Sequence, residues 1–343
     1  MCVHAHTYLI QIPVKNQKGE KMNTIVNIIL LLLGFVLLIK GADFFVDGAS
    51  ALARKFKIPP LVVGLTIVAM GTSAPELAVS ISASLSDANS MAVSNVLGSN
   101  LFNLLAVLGV CSVIIPSVVT TDLLKRDYPV SIGVSAIFII MLFIGGNKGS
   151  VTRTEALILV ILLAAYIIWT VLSALKNPSK EQPNDKPFIW WKCILCITGG
   201  AAAIVFGGNL VVNNASSIGA SFGMSETLIG LTICAVGTSL PELVTSITAA
   251  RKGENDMAMG NVIGSNIFNI LMILGISGVI SPITIDTVSV TSTLTDSCVY
   301  IAVCLLAYIF CITGKKITRI EGGLLVTMYI GYMTYAVMRE YVF

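Results

Sequence analysis

Ten stretches of about twenty mostly apolar residues follow one another along this chain, at roughly 24–47, 59–84, 89–115, 129–146, 154–175, 193–212, 226–249, 256–281, 294–313 and 320–341. Twenty such residues are what a helix needs to cross a bilayer. The run from Ile28 to Ile39 shows no alternation of apolar and polar residues, so helices are expected rather than barrel strands. Hydrophobic residues make up 55% and charged residues 11%, against about 25% charged in an average soluble domain. Such a chain is solvated by lipid. The formal net charge of +3 is too small to suggest nucleic acid as a partner.

The joints between spans are short and carry the charges, as in Arg54-Lys55-Phe56-Lys57, Lys125-Arg126, Arg251-Lys252 and Lys315-Lys316. One longer linker, rich in Pro, Asn and Lys, lies at 176–192 and divides five spans from five. Counting Lys and Arg by side gives fourteen on the linker side and six on the other. That bias places the linker in the cytoplasm and both termini outside the cell membrane. Lys40 lies within the first span and is long enough to snorkel. Residues 1–23 form an N-terminal tail without the apolar core of a signal peptide, and they hold both histidines, His4 and His6. Met22 stands directly before the first span and is read as the native start. Cys193 and Cys196 form a CxxC at the start of an apolar span, with no histidine near it, and are read as small buried hydrophobes.

Residues 64–116 align without gaps on 230–282, thirty of fifty-three positions being identical. The constant offset is 166 residues, and weaker matches extend back to Gly34 and Gly200. With five spans in each half, the second copy enters the membrane from the opposite face. The expected fold is therefore an all-α integral membrane protein. Its ten transmembrane helices form two inverted five-helix repeats, 24–175 and 193–343, an arrangement found in secondary transporters.

Almost every acid lies near a span end or in a loop: Asp43 and Asp47 near the end of span 1, Glu155 and Glu226 at the starts of spans 5 and 7. Glu76 and Glu242 fall well inside apolar spans, and they are repeat mates. A carboxylate at that depth costs at least about 2–3 kcal/mol. Thr72, Ser73 and Ser80 lie on the helix face of Glu76, as Thr238, Ser239 and Ser246 do for Glu242. In the following spans Asn95, Ser99 and Asn103 form a stripe, repeated by Asn261, Ser265 and Asn269. Helix packing accounts for the Gly and Ser in these stripes but not for the asparagines and glutamates. Pro75 and Pro241 lack the amide that would bond the carbonyls of Gly71 and Gly237, so each is expected to kink its helix and free a carbonyl. Carboxylate, hydroxyl, amide and carbonyl oxygens suit hard cations such as Ca2+ and Na+; Cys234 is close by but not placed as a ligand. Two carboxylates balance one Ca2+ or two Na+.

GTSAPE at 71–76 and GTSLPE at 237–242, each followed by GSNxFN at 98–103 and 264–269, resemble the paired alpha-repeats of the cation/Ca2+ antiporter superfamily. The similarity runs from about residue 24 to the end and is nearest to bacterial Na+/Ca2+ exchanger-like proteins. It implies exchange of Ca2+ for Na+ by alternating access, electrogenic and extruding Ca2+, with no cofactor. It also implies that Glu76 and Glu242 are the central Ca2+ ligands. Thr72, Ser73, Thr238 and Ser239 would supply hydroxyl or carbonyl oxygens, and the carbonyls of Ala69 and Ala235 would assist Na+. Ser99, Asn103, Ser265 and Asn269 would complete the site, and spans 1 and 6 would slide as a long tilted pair. Some members carry Asp where Asn103 or Asn269 stands here, and its absence argues against K+ co-transport.

H+/Ca2+ exchange within the same superfamily is the alternative, since two glutamates could carry protons in place of Na+. A cation channel would use the same ligands, but the inverted repeat speaks against it. An intramembrane hydrolase built on Ser73 or Ser239 would need a base, and the only histidines are in the tail, so no enzyme is expected.

Overall fold

The computed structural model describes residues 24–86, 89–144, 149–178, 188–224, 229, 232–233, 235–285 and 289–342. The tail with Met22 and the histidines, residues 179–187 of the linker, Glu226 and Cys234 lie outside them. The described helices are α1 (Thr24–Phe56), α2 (Pro60–Thr72), α3 (Ala74–Leu85), α4 (Asn89–Ile114), α5 (Leu123–Ile144), α6 (Arg153–Lys176), α7 (Trp190–Ser221), α8 (Ala235–Thr238), α9 (Leu240–Arg251), α10 (Asn255–Ile280), α11 (Ser289–Gly314) and α12 (Arg319–Val342).

Seven of these are long and apolar enough to cross a membrane; α2 and α3, bent by 48° at the break between them, pass the same test only when taken together. The chain is thus a multi-pass membrane protein. The expected seventh span falls partly outside the described residues. The expected tenth coincides with α12, 24 residues long, whose hydropathy is diluted by Gly322, Gly323, Gly331, Thr327 and Thr334. α1 continues well past the expected end at residue 47: its 33 residues extend about 50 Å, more than the ~30 Å hydrocarbon core, so the helix must tilt or project.

The offset of 166 reappears throughout the structure. Strand β1 (Ser117–Val118) pairs antiparallel with β4 (Lys316–Ile317), and β2 (Ser150–Val151) with β3 (Ile283–Thr284). Adding 166 to β1 gives β3 and adding it to β2 gives β4, so each pairing is the other with the halves exchanged. α6 opens on a capping box in which Thr152 and Glu155 satisfy each other's amides; α12 opens on its mate, Thr318 and Glu321. This extends the repeat well beyond the stretch where sequence identity is plain.

α1 and α7 pack together at glycines. A β-carbon at Gly34 would stand 2.9 Å from the carbonyl oxygen of Gly207, and one at Gly200 would stand 2.8 Å from that of Gly41. These contacts also exchange under the offset. Cys193 lies in the same seam, its thiol donating to the Gly48 carbonyl at 3.4 Å, with Cys196 beside Gly48. The CxxC cysteines therefore act as packing groups. α4 and α10 are the central helices, 78% and 83% buried over their apolar windows against 28% for α1 and for α7. Gly264 lets α10 approach α2 so closely that a β-carbon there would lie 2.8 Å from the Leu65 Cα.

Candidate cation site

The two helix breaks position the carboxylates. Ser73 (φ −80°, ψ 9°) leaves the helical region between α2 and α3, and Ser239 (φ −96°, ψ 7°) does so between α8 and α9. Pro75 and Pro241 fall in the first turn of the new helix, where a missing amide leaves no bond unmade. The break is therefore at the serine, two residues before the proline, and the proline starts α3 and α9 rather than kinking a continuous helix. Glu76 and Glu242 fall in the first turns of those helices, where the helix dipole favours a negative group.

Each serine then reaches across to the other half. The Ser73 hydroxyl donates to Glu242 Oε1 at 3.0 Å, and the Ser239 hydroxyl donates to Glu76 Oε1 at 3.0 Å. Both glutamates are fully buried. Ser239 also contacts Ser99 Oγ at 3.0 Å, Ser99 reaches Glu76 Oε1 at 3.5 Å, and Asn269 donates to Ser99 Oγ at 3.1 Å. Asn95 donates to Ser80 and to the Glu76 carbonyl; Asn261 makes the mate contacts to Ser246 and the Glu242 carbonyl. Thr72 is buried and donates to Asn261 Oδ1 at 3.1 Å. The Ala69 carbonyl accepts from the Ser73 amide at 3.0 Å, so it is engaged within its own helix in this conformation. Thr238 ends α8 half-buried, and Ala235 begins that helix. Ser265 and Asn103 are buried on the central helices.

Among the described residues, no Lys or Arg lies within ion-pairing distance of Glu76 or Glu242. Asp127 shows the contrast. It is equally buried, but Arg126 donates to both of its oxygens at 2.9 Å and the Tyr166 hydroxyl donates at 3.3 Å. One carboxylate is neutralised by protein; the other two are not. One oxygen of each glutamate, Oε2, has no hydrogen-bond partner, and the same holds for Asn103 Oδ1, Asn269 Oδ1 and Ser265 Oγ. Buried oxygens left open in this way are expensive unless a cation meets them. Among the described residues no three His, Cys, Asp or Glu side chains cluster, so the available donors are two carboxylates and neutral oxygens, a hard-cation set.

The profile of the sodium/calcium exchanger protein family matches residues 26–172 and again 192–338. The chain belongs to that family. As a member it is an antiporter of the cation/Ca2+ antiporter superfamily, and its two matched stretches are themselves 166 residues apart. It is 40% identical over 319 residues to the putative antiporter CaxA of Alkalimonas amylolytica, covering 89% of this chain and 96% of that one. It is 35% identical over 344 residues to the sodium/calcium exchanger MaX1 of Methanosarcina acetivorans, covering 90% and 97%. Its fold is similar to structures of the sodium-calcium exchanger NCX_Mj, with a TM-score of 0.77 at 31% identity over 91% of this chain and 99% of that one.

Three buried residues of this family member's centre escaped the sequence reading. Asn100 and Asn266, repeat mates inside GSNxFN, carry hydrogen bonds between the halves. Their identity in both copies was the available signal. Tyr300 bonds Asn100, but its repeat position in the first half is Val134, so duplication gave no hint of it.

Proposed function

We propose that this chain exchanges Ca2+ for Na+ across the cell membrane by alternating access. It does so as two inverted five-helix repeats, 24–175 and 193–343, with the linker 176–192 in the cytoplasm and both termini outside. Glu76 and Glu242 bind Ca2+ directly. Thr72, Ser73, Thr238, Ser239, Ser99, Asn103, Ser265 and Asn269 supply neutral oxygens, and the carbonyls of Ala69 and Ala235 assist Na+. The observation that carries this reading is the crossed pair Ser73–Glu242 and Ser239–Glu76, two buried carboxylates with no basic partner among the described residues. A charge of about −2 is balanced by one Ca2+ or by two Na+. A third Na+ would make the cycle electrogenic and couple Ca2+ extrusion to the membrane potential.

Alternating access needs two conformations of similar energy. The exchange-symmetric contacts of α1 with α7 and of the four short strands support such a pair, because swapping the conformations of the halves preserves each kind of contact. Na+ is favoured over H+ as the coupling ion by the named function of MaX1 and NCX_Mj. The test is ion-replacement flux. Liposomes holding the purified protein and loaded with Na+ are expected to take up Ca2+, with no uptake driven by K+ or proton gradients alone. Uptake driven by a proton gradient and indifferent to Na+ would replace this reading with H+/Ca2+ exchange.

A further inference from the structure

The two asparagines that offer open carbonyl oxygens are held very differently from behind. Asn269 uses both amide hydrogens, one to Ser99 Oγ at 3.1 Å and one to Asn100 Oδ1 at 2.9 Å. Asn100 in turn donates to the Tyr300 hydroxyl at 3.1 Å and to the Asn266 carbonyl at 3.5 Å. The Tyr300 hydroxyl lies 2.9 Å from Ser135 Oγ, and the Ser135 hydroxyl donates to the Ser131 carbonyl at 2.7 Å. A backbone carbonyl can only accept. Ser135 is thereby committed as its donor, so Tyr300 donates to Ser135 and accepts from Asn100. Asn100 must then present Oδ1 to Asn269. The whole chain runs one way: reversing Asn100 would set donor against donor at Asn269, and reversing Asn269 would set acceptor against acceptor at Asn100, in a fully buried site.

The mate of this chain is missing. Tyr300 corresponds to Val134 and Ser135 to Ile301. Ser297, the mate of Ser131, has an unpartnered hydroxyl. Asn103 donates to Asn266 Oδ1 at 3.1 Å, but Asn266 Nδ2 has no partner, so nothing behind it fixes which way its amide faces.

We infer that Tyr300 is a positioning residue for cation binding, which acts through Asn100 to keep the Asn269 carbonyl oxygen turned toward the cation. The inference rests on the reading of Asn269 as a ligand. It makes the half-site of the second repeat the pre-set one and leaves the Asn103 amide free to turn. A pre-set oxygen spends no binding energy on orientation. Removing the Tyr300 hydroxyl lets Asn100, and with it Asn269, turn an NH2 group into the site.

The test uses the full chain. Ca2+-dependent thermal protection is measured in detergent, and the Ca2+ dependence of transport in liposomes, for the wild type, Tyr300→Phe, Ser135→Ala and Tyr128→Phe. Tyr128 is a buried tyrosine whose hydroxyl donates to the Cys304 carbonyl at 3.3 Å, to none of the groups in this run of hydrogen bonds, and serves as the comparison. The expected result for Tyr300→Phe is a half-saturating Ca2+ about fivefold higher with maximal rate within twofold, the size of one lost hydrogen bond. Ser135→Ala is expected to shift in the same direction by less, and Tyr128→Phe not at all. Half-saturation unchanged in folded Tyr300→Phe, or shifted equally in Tyr128→Phe, overturns the inference. If Tyr300→Phe fails to fold, Ser135→Ala decides on the same criterion. Wild-type protein protected by Ca2+ but inactive on a Na+ gradient would refute the proposed exchange while the protection midpoints still judge Tyr300. Wild-type protein protected by no cation would refute both.

Discussion

In the first half, α3 begins beside Ser73 and carries Glu76, with Asn95 and Ser99 facing them from α4. In the second half α9 begins beside Ser239 and carries Glu242, with Asn261 and Ser265 on α10. Around the two glutamates some bonds match within a few tenths of an ångström, Asn95 to Ser80 at 3.1 Å beside Asn261 to Ser246 at 2.9 Å and the crossed serine–glutamate bonds both at 3.0 Å, whereas Ser99 is bonded and its mate Ser265 is not. Away from the centre the halves part. Lys252, in the turn after α9, lies 2.7 Å from Asp47 and 3.5 Å from Asp43 on α1, and Arg54 pairs with Glu254 at 3.2 Å. The mates of Lys252, Asp43, Asp47, Arg54 and Glu254 are Ser86, Asn209, Asn213, Ala220 and Ala88, none of them charged. The part-buried pairs Arg126–Asp127 and Arg339–Asp296 also stand at non-equivalent positions. The crossed Ser73–Glu242 and Ser239–Glu76 bonds are alike in the two halves. The periphery is free to diverge, and there a bias toward one conformation can be set.

The symmetry of the centre can be broken directly. Ser73→Ala and Ser239→Ala each remove a hydrogen bond to a carboxylate, worth about 1.5–3 kcal/mol. Each is expected to raise half-saturating Ca2+ at least tenfold, and the two by similar amounts; a large inequality, read from flux titrations, would show that the crossed bonds are not equivalent. Gly200→Ala is expected to force α1 and α7 apart, because its new β-carbon would meet the Phe45 amide nitrogen at 2.7 Å. Overpacking of this kind costs about 1–3 kcal/mol. Turnover about tenfold lower and a reduced melting temperature are the expected readings, with Gly34→Ala close behind because it meets the opposite helix in the mate contact. Asn269→Asp and Asn103→Asp add a third carboxylate on one side or the other. Each is expected to change Na+ preference over K+, or the pH dependence of transport, severalfold. An unchanged ion and pH profile in both would remove the asparagines from the site. Lys252→Ala should have the smallest effect, since exposed ion pairs are worth about 0.2–1 kcal/mol. A two- to fivefold change in the ratio of outward to inward transport, lessening in high salt, is expected, and Asn213→Asp on the other half is expected to leave that ratio alone.

Much of this arrangement was legible because duplication writes each site residue twice. Glu76 and Glu242 stood out as acids in apolar spans, and the stripes of Asn and Ser followed from helical spacing. The break at Ser73 was not legible as such: the proline beside it pointed to a kink, but a proline in a first turn costs nothing, and the serine backbone takes the bend. The full length of α1 was hidden because Asp43, Asp47 and Arg54 end the apolar run without ending the helix. Asp127 was passed over as an acid near a span end, although its neighbour Arg126 buries it as a neutral pair. Tyr300 and Ser135 could not be found from the repeat, since their mates are Val134 and Ile301 and only folding brings them to Asn100.

The most direct test of the account is Ca2+ uptake into Na+-loaded liposomes by Glu76→Gln and Glu242→Gln, each measured beside wild type at equal reconstitution. Replacing a carboxylate by its isosteric amide keeps the volume and removes the charge. Uptake reduced at least a hundredfold in both variants is the expected result; wild-type uptake by either would contradict the assignment of the two buried carboxylates as the cation site.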